Sequence, residues 1–296
     1  MSDKMLRGIL HKSNLRFVIC ESLEICKEAL LRQQCPPIAM EALGRTLTVA
    51  ALLSAALKGK ERLSIQLSSE KTMINAVFVD ASPGGRLRGY VSYQKVLKSP
   101  AVRTFTLAEA VGQRGVLNVL HDDGSGEFYR GLSSLTHGTI DQDLVNYLDS
   151  SVQIPSLLAL SVNLVKGEVA SAAGVLIQVL PGGDVERLNQ LKAELTSERL
   201  TEVLTKDTYT IGQLTAELLP LDDDLEVLES SELEFFCPCS KERATRALLT
   251  VGHEEIQEII DEQHGSSITC EFCGKTYAFD EADLIQIRDQ LKSPLN

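Results

Sequence analysis

The sequence predicts an α+β N-terminal domain, a helical linker and a small C-terminal domain that binds zinc through four cysteines. Three observations support this division. Over residues 1–181, helical and strand patterns follow one another without a regular βαβ alternation, which favours the α+β class. Residues 182–230 are polar apart from a narrow leucine and valine stripe, and residues 231–296 contain two close pairs of cysteines.

Length and charge agree with more than one domain. A chain of 296 residues with 44% apolar residues is long enough for two domains, each with its own core. The net charge of −12 is unevenly distributed, because residues 1–220 carry 23 acidic and 23 basic side chains while residues 221–296 carry 18 and 6. This acidity argues against nucleic acid as a partner and marks the end of the chain as a separate unit.

The apolar segments predict no membrane partner. The longest apolar stretch, Leu47 to Leu57, is eleven residues long and is too short to cross a bilayer. No apolar segment typical of a secretion signal follows Met1 to Lys12. We therefore expect a cytoplasmic protein whose seven cysteines stay reduced and serve as metal ligands, redox groups or core residues.

The first element predicted in the N-terminal domain is a helix from about Ile38 to Lys58, which Gly59 follows as a C-terminal stop. Alternation of apolar and polar residues from Leu63 to Leu67 then predicts a half-buried strand. Turn signals rich in Gly, Pro and Asp separate three further pairs of strands, and a short helix lies before the last pair. The predicted segments are Met73 to Val79 with Leu87 to Tyr93, Val116 to Leu120 with Glu127 to Leu132, the helix Asp141 to Leu148, and Ser156 to Val165 with Glu168 to Leu180.

The linker follows the break at Pro181-Gly182-Gly183. Its apolar residues have helical spacing: Leu188, Leu191, Leu195, Leu200, Val203 and Leu204. Short helices are marginal in water, so one interpretation is a metastable linker that is ordered only while its stripe is covered. The other is an ordinary amphipathic helix of the first domain. The acidic run from Leu221 to Glu234 is predicted to be a solvated connector.

Four cysteines carry the main functional prediction. Cys237 and Cys239 precede Cys270 and Cys273 by a 30-residue interval, and two such pairs predict a tetrahedral site for one Zn²⁺. The spacing does not match iron–sulfur proteins. A thioredoxin-like site would place its C-x-x-C at a helix start, whereas here a hairpin is predicted. Ligation by His253 or His264 is a further, weaker alternative.

The rest of the C-terminal domain fits a small zinc module. Ile256, Ile259 and Ile260 share one helix face, and Asp280 is placed to cap a last helix whose Leu284, Ile287 and Leu291 point inward. So few apolar residues need a metal to hold them together. Thiolates are also the groups that peroxide attacks, and each close pair can form a reducible disulfide. The chemistry permits a redox switch, although most sites of this kind are purely structural.

Several segments resemble the Hsp33 family of redox-regulated 33 kDa holdase chaperones. The similarity is most specific at the cysteines and extends over nearly the whole chain. The matching segments are Phe236-Cys237-Pro238-Cys239-Ser240, Cys270-Glu271-Phe272-Cys273, Ala42-Leu43-Gly44-Arg45-Thr46-Leu47, Arg88-Gly89-Tyr90-Val91, Gln153-Ile154-Pro155-Ser156 and Leu180-Pro181-Gly182.

The resemblance implies an ATP-independent chaperone that binds unfolding proteins and is not an enzyme. It implies an inactive, reduced, zinc-bound form and an activated homodimer in which oxidation has released the zinc. Cys237, Cys239, Cys270 and Cys273 match the four zinc thiolates, with Cys237–Cys239 and Cys270–Cys273 as the disulfide pairs. No client-binding residues are predicted.

Two other function classes remain open at this point. One is a thiol–disulfide oxidoreductase that uses Cys270 and Cys273, and the other is a zinc-ribbon adaptor for nucleic acid or protein. Cys20, Cys26 and Cys35 are interpreted as partly buried small residues without a role in the site.

Overall fold

The computed structural model describes residues 2–95, 105–206 and 209–292. The chain separates into two compact units, Met1–Phe236 and Cys237–Asn296. Each unit has hydrophobic clusters of its own. The segment predicted as a linker, residues 182–230, packs as part of the first unit.

The first unit is built on one large sheet. In the described residues its strands are β1 (Asp3–Leu10), β2 (Leu15–Glu21), β3 (Arg62–Ser69), β4 (Ile74–Ser82), β5 (Arg86–Tyr93), β6 (Gly115–Asp122), β7 (Phe128–Ser134), β8 (Ser156–Val165), β9 (Glu168–Val179) and β10 (Leu225–Phe235). Their order in the sheet is β7-β6-β3-β4-β5-β10-β1-β2-β9-β8. Neighbours are antiparallel except β10 and β5, which run parallel and pair only at Glu234–Arg86 and Phe235–Leu87.

Helices cover both faces of the half of the sheet that contains β1, β2, β8 and β9. The helices of this unit, within the described ranges, are α1 (Leu23–Gln33), α2 (Pro37–Ser54), α3 (Leu107–Val111), α4 (Ile140–Tyr147), α5 (Val185–Glu194), α6 (Ser197–Lys206) and α7 (Ile211–Leu218). The long helix α2 lies in the main core, beside residues such as Val18 and Leu176. The opposite face, with Phe17 and Ile177, packs against α5, α6 and α7.

The predicted elements of this domain are confirmed. The helix predicted from Ile38 to Lys58 is α2, which ends at Ser54, and the three pairs of strands, the single strand and the short helix match β3 to β9 and α4. Their turns contain glycines with positive φ, including Gly84 and Gly85. The structure also has β1, β2 and α1 within residues 1–37, where no element is predicted. Because this unit combines helices with a mostly antiparallel sheet, the predicted α+β class is correct.

The prediction that Leu221 to Glu234 is a solvated connector is wrong. Most of this run is β10, which pairs with β1 over eight residues. Its acidic side chains are largely exposed. Glu229 forms an ion pair with Arg7 at 2.5 Å, Glu234 forms one with Arg86 at 2.8 Å, and Glu226 lies 2.6 Å from His11 Nε2. Pairing with β1 therefore makes this acidic segment a strand, and the two arginines offset part of its charge.

One short turn holds both ends of the predicted linker. Residues 11–14 connect β1 to β2, and the backbone oxygen of Ser13 accepts a bond from Asp184 N at 2.8 Å. Ser13 donates its backbone N–H and its hydroxyl to the buried Asp223 carboxylate, at 2.8 and 2.7 Å. The leucine and valine stripe between these ends is covered by the sheet, as both interpretations of this segment require.

The second unit is small. In the described residues it contains α8 (Lys241–Leu249), α9 (His253–Gln263), the hairpin of β11 (Gly265–Thr269) and β12 (Thr276–Asp280), and α10 (Glu281–Lys292). Its core includes Ile256, Ile260, Leu284 and Ile287, which confirms the two predicted helical faces. Asp280 Oδ1 accepts a bond from Asp283 N at 2.8 Å, so the predicted cap of the last helix is also present.

No helix in the described residues is long and apolar enough to cross a bilayer.

Candidate metal centre

The four cysteines of the predicted site lie in two short loops of the second unit. Cys237 and Cys239 stand on either side of Pro238, directly before α8. Ser240 caps that helix by accepting a bond from Arg243 N at 3.3 Å, so the helix start fixes the chain immediately after Cys239. Cys270 and Cys273 occupy the turn between β11 and β12.

Backbone hydrogen bonds close the hairpin turn that carries Cys270 and Cys273. Gly274 N donates to the Cys270 carbonyl at 2.8 Å, and Cys270 N donates to the Lys275 carbonyl at 2.9 Å. Gly274 adopts a φ of 70°, which a residue with a side chain rarely tolerates. Gly274 thus helps to close the turn that carries Cys270 and Cys273.

The structure brings the four sulfurs together. Cys237 Sγ lies 3.7 Å from Cys270 Sγ, and Cys239 Sγ lies 3.3 Å from Cys273 Sγ. All four sulfurs lie within 4.8 Å of one another. A regular tetrahedral zinc site with Zn–S bonds of about 2.3 Å separates its sulfurs by ~3.8 Å. The spacing and the soft sulfur donors therefore fit one such ion, and the four residues can hold a metal.

Hydrogen bonds within the cluster favour a thiolate at Cys239. Partial burial opposes ionisation there, but bonds from the Tyr277 hydroxyl and from the other three thiols outweigh it and lower the pKa of Cys239 to about 7. The Tyr277 hydroxyl lies 3.1 Å from Cys239 Sγ. Burial, together with bonds that hold its proton, raises the pKa of Cys273 to about 12. Cys239 therefore accepts hydrogen bonds as a thiolate, whereas Cys273 keeps its proton and donates a hydrogen bond.

Sequence patterns did not indicate Tyr277 as part of the site. Its ring belongs to the core of the second unit, beside Phe279 and Leu284. The alternation of buried residues along β12 predicts an inward ring at this position, but it cannot show that the hydroxyl reaches a sulfur 38 residues away in the chain.

The alternative ligands do not join the cluster. In the described part of the chain, the group that can hold a metal consists of the four cysteines. The Nδ1 atom of His264 lies 3.1 Å from a Glu281 carboxylate oxygen. His253 stands at the start of α9, as its position before Glu254 and Glu255 suggests.

The C-x-x-C segment also lacks the setting of a thiol oxidoreductase. Such enzymes place the reactive cysteine at the start of a helix, whose dipole stabilises the thiolate. Here Cys270 and Cys273 lie in the turn of a β-hairpin.

The remaining cysteines are core residues, as their interpretation requires. Cys20, Cys26 and Cys35 are all buried. The Cys26 thiol lies 3.9 Å from the Gly44 carbonyl oxygen, and burial raises its pKa to about 12. These thiols are therefore held away from the metal-binding chemistry.

Comparison with known proteins gives one family over nearly the whole chain. The model of the family described as "Hsp33 protein" matches residues 3–280. The 33 kDa chaperonin of Citrifermentans bemidjiense is 35% identical, with 97% of both chains covered. That of Enterococcus faecalis is 32% identical over 98% of this chain and 97% of the relative.

A solved structure shows the same similarity in three dimensions. The crystal structure of the 33 kDa chaperonin (Heat shock protein 33 homolog) from Thermotoga maritima is 28% identical and has a TM-score of 0.75. The match covers 98% of this chain and 99% of that one. With the family model and the full-length relatives, this similarity establishes that the chain is a chaperone-type protein belonging to the Hsp33 family.

Proposed function

We propose that this protein is an ATP-independent holdase chaperone controlled by the redox state of Cys237, Cys239, Cys270 and Cys273. In the reduced form these residues bind one Zn²⁺ and the chaperone is inactive. Oxidation to two disulfides releases the zinc and activates it. The observation that carries the proposal is the convergence of four thiols in a small unit of an Hsp33 family member.

When bound, the zinc ion supplies a cross-link between two loops that are far apart in sequence. In the described residues the core of this unit contains only eight buried side chains, so the cross-link contributes much of its stability. Ser240 and Gly274 hold the two loops in the required conformations. Tyr277 donates to Cys239, which favours the thiolate that a metal requires.

Oxidation converts each close pair of thiolates into a disulfide. Cys237 with Cys239, and Cys270 with Cys273, would each give two electrons to one peroxide molecule, which takes up two protons and forms two waters. The four sulfurs lie within 4.8 Å of one another, so these pairs are within reach after small rotations. Cysteines joined in disulfides no longer provide thiolate ligands, and the unit loses its cross-link.

The client-binding surface would come from the first unit. We infer that loss of order in the second unit releases the linker helices α5 to α7 from the sheet. Their departure would expose apolar side chains such as Phe17, Ile19 and Ile177, which the helices now cover. Exposed apolar surface of this kind binds unfolding proteins. The acidic C-terminal residues would help to keep such complexes soluble.

The proposal includes the setting in which the protein works. Its partners are unfolded or partly folded proteins, and its active form is a homodimer. It acts in the cytoplasm, where the thiol pool can reduce the disulfides again. Nucleic acid and membranes are not among the proposed partners.

The test is to measure zinc and chaperone activity on the same sample. The reduced protein should contain one zinc per chain and should not slow the aggregation of a denatured test protein, measured by light scattering. Peroxide with mild heat should release the zinc and produce suppression without ATP. Equal suppression before and after oxidation would disprove redox control.

Matched cysteine variants assign the effect to the site. Cys270→Ser with Cys273→Ser should abolish tight zinc binding. Cys35→Ser, which changes a buried cysteine of the first unit, should retain both the zinc and the response to peroxide. A Cys35→Ser variant that lost the response would place the switch outside the four-cysteine site.

A further inference from the structure

A cavity in the first unit has the features of a small-molecule site. It lies between the end of α2 and the sheet face formed by β1, β2 and β9, and its volume is about 310 Å³. Leu52, Leu53, Leu176 and Leu180 provide much of its apolar wall. A wider cleft of about 600 Å³ shares Arg16, Leu53 and Gln178 with it. Binding pockets for small molecules have volumes in this range.

Two arginines reach this cavity from adjacent strands. Arg7 of β1 lies opposite Val18 of β2, and Arg16 of β2 lies opposite Ile9 of β1. Paired residues of antiparallel strands share a face, so Arg7 and Arg16 are diagonal neighbours on the face that the cavity occupies. Both line its wall.

The two guanidinium groups differ in how their charge is balanced. Arg7 forms an ion pair with Glu229 at 2.5 Å. Arg16 instead donates from Nε and Nη2 to the side-chain oxygen of Gln178, at 3.0 and 2.7 Å. In the described part of the chain, no carboxylate forms an ion pair with Arg16. The cavity therefore carries an unbalanced positive charge.

The neutral partner of Arg16 is held firmly in place. Gln178 is only 4% exposed, and its Nε2 donates to Ser156 Oγ at 3.0 Å, which directs its oxygen toward Arg16. A glutamate at this position would neutralise Arg16, but the amide leaves the charge available. Half-burial without a counter-ion also lowers the pKa of Arg16, because burial penalises its charged form. A bound anion would remove this penalty.

Donors remain for such an anion. A guanidinium has five N–H groups, and Gln178 engages only Nε and Nη2 of Arg16. The cavity thus combines an apolar wall with N–H groups of Arg16 that no residue in the described part of the chain engages.

We propose that this cavity binds an amphipathic monoanion, an alkyl chain that ends in a carboxylate. The chain occupies the pocket beside Leu53 and Leu176, and the carboxylate pairs with Arg16. This site is separate from the four cysteines, since all of its residues belong to the first unit. The inference therefore stands whether or not the redox proposal is correct.

The experiment is calorimetric titration of the full-length, reduced, zinc-loaded protein with sodium decanoate below the concentration at which it aggregates. We expect saturable binding of one decanoate per chain. Decanol, which has the same chain without the charge, and acetate, which has the charge without the chain, should each bind at least about tenfold more weakly. Absence of saturable decanoate binding would overturn the proposal.

Two variants test the role of Arg16 in different ways. Arg16→Gln removes the charge, and Gln178→Glu retains Arg16 but supplies the missing internal carboxylate. Each should weaken decanoate binding about tenfold or more, whereas Arg246→Gln, at an exposed arginine of the second unit, should leave it unchanged.

Far-UV circular dichroism and thermal melting verify that each variant is folded. Gln178→Glu preserves the shape of the side chain, so it keeps the test decisive even if Arg16→Gln fails to fold. Decanoate binding that is undiminished in a folded variant, or equal to that of decanol, would show that only general apolar surface is involved and would refute the proposal.

Discussion

At the scale of single residues, one hydroxyl connects the core of the small C-terminal unit to its sulfur cluster. Tyr277 packs with Phe279 and donates to Cys239 Sγ at 3.1 Å. Bonds from outside the first coordination shell orient ligands and stabilise their anionic form. Tyr277 therefore serves both the packing of the unit and the chemistry of its proposed metal site.

Replacement of Tyr277 separates these two roles. Tyr277→Phe keeps the ring but removes the donor, so we expect zinc affinity to fall roughly 10-fold, as is typical when a partner of a metal ligand is lost. Competition with a chromogenic chelator measures the effect. Tyr129→Phe, at an exposed tyrosine of the first unit, is the matched control. Unchanged affinity in Tyr277→Phe would show that the hydroxyl does not support the site.

Thiol reactivity should divide the seven cysteines into two classes. Burial raises the pKa of Cys20 well above its usual value and that of Cys26 to about 12, so at pH 8 the thiolate fraction of Cys26 is only ~10⁻⁴. Metal removal should unfold the second unit and break the hydrogen bonds that raise the pKa of Cys273, so we expect a thiol reagent to modify its four cysteines rapidly. Cys20, Cys26 and Cys35 should react only after denaturation.

Peptide mass spectrometry identifies the modified residues in this experiment. Rapid labelling of Cys20 or Cys26 in the folded protein would contradict the buried positions of these thiols. The same method, applied after peroxide treatment without reduction, tests the disulfide pairs. We expect Cys237–Cys239 and Cys270–Cys273, and a bond between Cys239 and Cys273 would refute this pairing.

The sequence reveals the sulfur cluster more fully than its surroundings. The two pairs of cysteines have a spacing that only a few kinds of site require, so they predict the cluster directly. The hydroxyl of Tyr277 and the amide of Gln178 act through contacts with residues distant in the chain. No local pattern encodes such contacts, so the roles of Tyr277 and Gln178 can be recognised only in the folded structure.

At the scale of elements, the turn formed by residues 11–14 holds both ends of the linker through hydrogen bonds. Asp184 directly precedes α5 and Asp223 precedes β10, and both form hydrogen bonds with Ser13. Asp223 is 4% exposed, whereas its neighbour Asp222 has an 83% exposed side chain. Two adjacent acids thus differ sharply in what they contribute to the docking of the linker.

This contrast provides a matched pair of variants. Asp223→Ala leaves the N–H and hydroxyl of Ser13 without their acceptor, which costs about 1–3 kcal/mol of stability. Asp222→Ala should change stability by less than about 0.5 kcal/mol. We expect hydrogen exchange to accelerate in α5 to α7 of Asp223→Ala only. Equal exchange rates in the two variants would show that the bonds between Ser13 and Asp223 do not hold the linker helices in place.

Elements joined by tight turns are the ones that the sequence predicts well. Glycines at positions such as Gly84 and Gly85 mark the chain reversal between β4 and β5 within a few residues. β10 could not be predicted, because its partners on β1 lie more than 200 residues earlier. Its acidic side chains resemble those of a solvated segment, and the ladder with β1 that makes it a strand forms only in the folded chain.

At the scale of the whole molecule, the two units should differ in their dependence on metal. Within the ranges that the structure describes, the first unit contains two extensive hydrophobic clusters, whereas the second has a core of eight buried residues. Structural zinc supplies on the order of 10–16 kcal/mol in small modules. Metal removal should therefore unfold the second unit and leave the sheet of the first intact.

Hydrogen exchange with and without a chelator measures this difference. Protection should disappear from α9 and α10 and persist in α2, β8 and β9. Retained protection of α9 and α10 in the metal-free protein would show that the small core is sufficient, and the proposed switch would lose its physical basis. Equal loss in both units would instead contradict their separate cores.

The segment that connects β10 to the first cysteine of the second unit is very short. β10 ends at Phe235, and a single residue separates it from Cys237. One residue spans at most about 3.6 Å, so no flexible spacer is available to absorb movement at the cysteine. The end of β10 is also where two halves of the sheet meet, through a ladder of only two residue pairs. A displacement of Cys237 would consequently act first on these two residue pairs between β10 and β5.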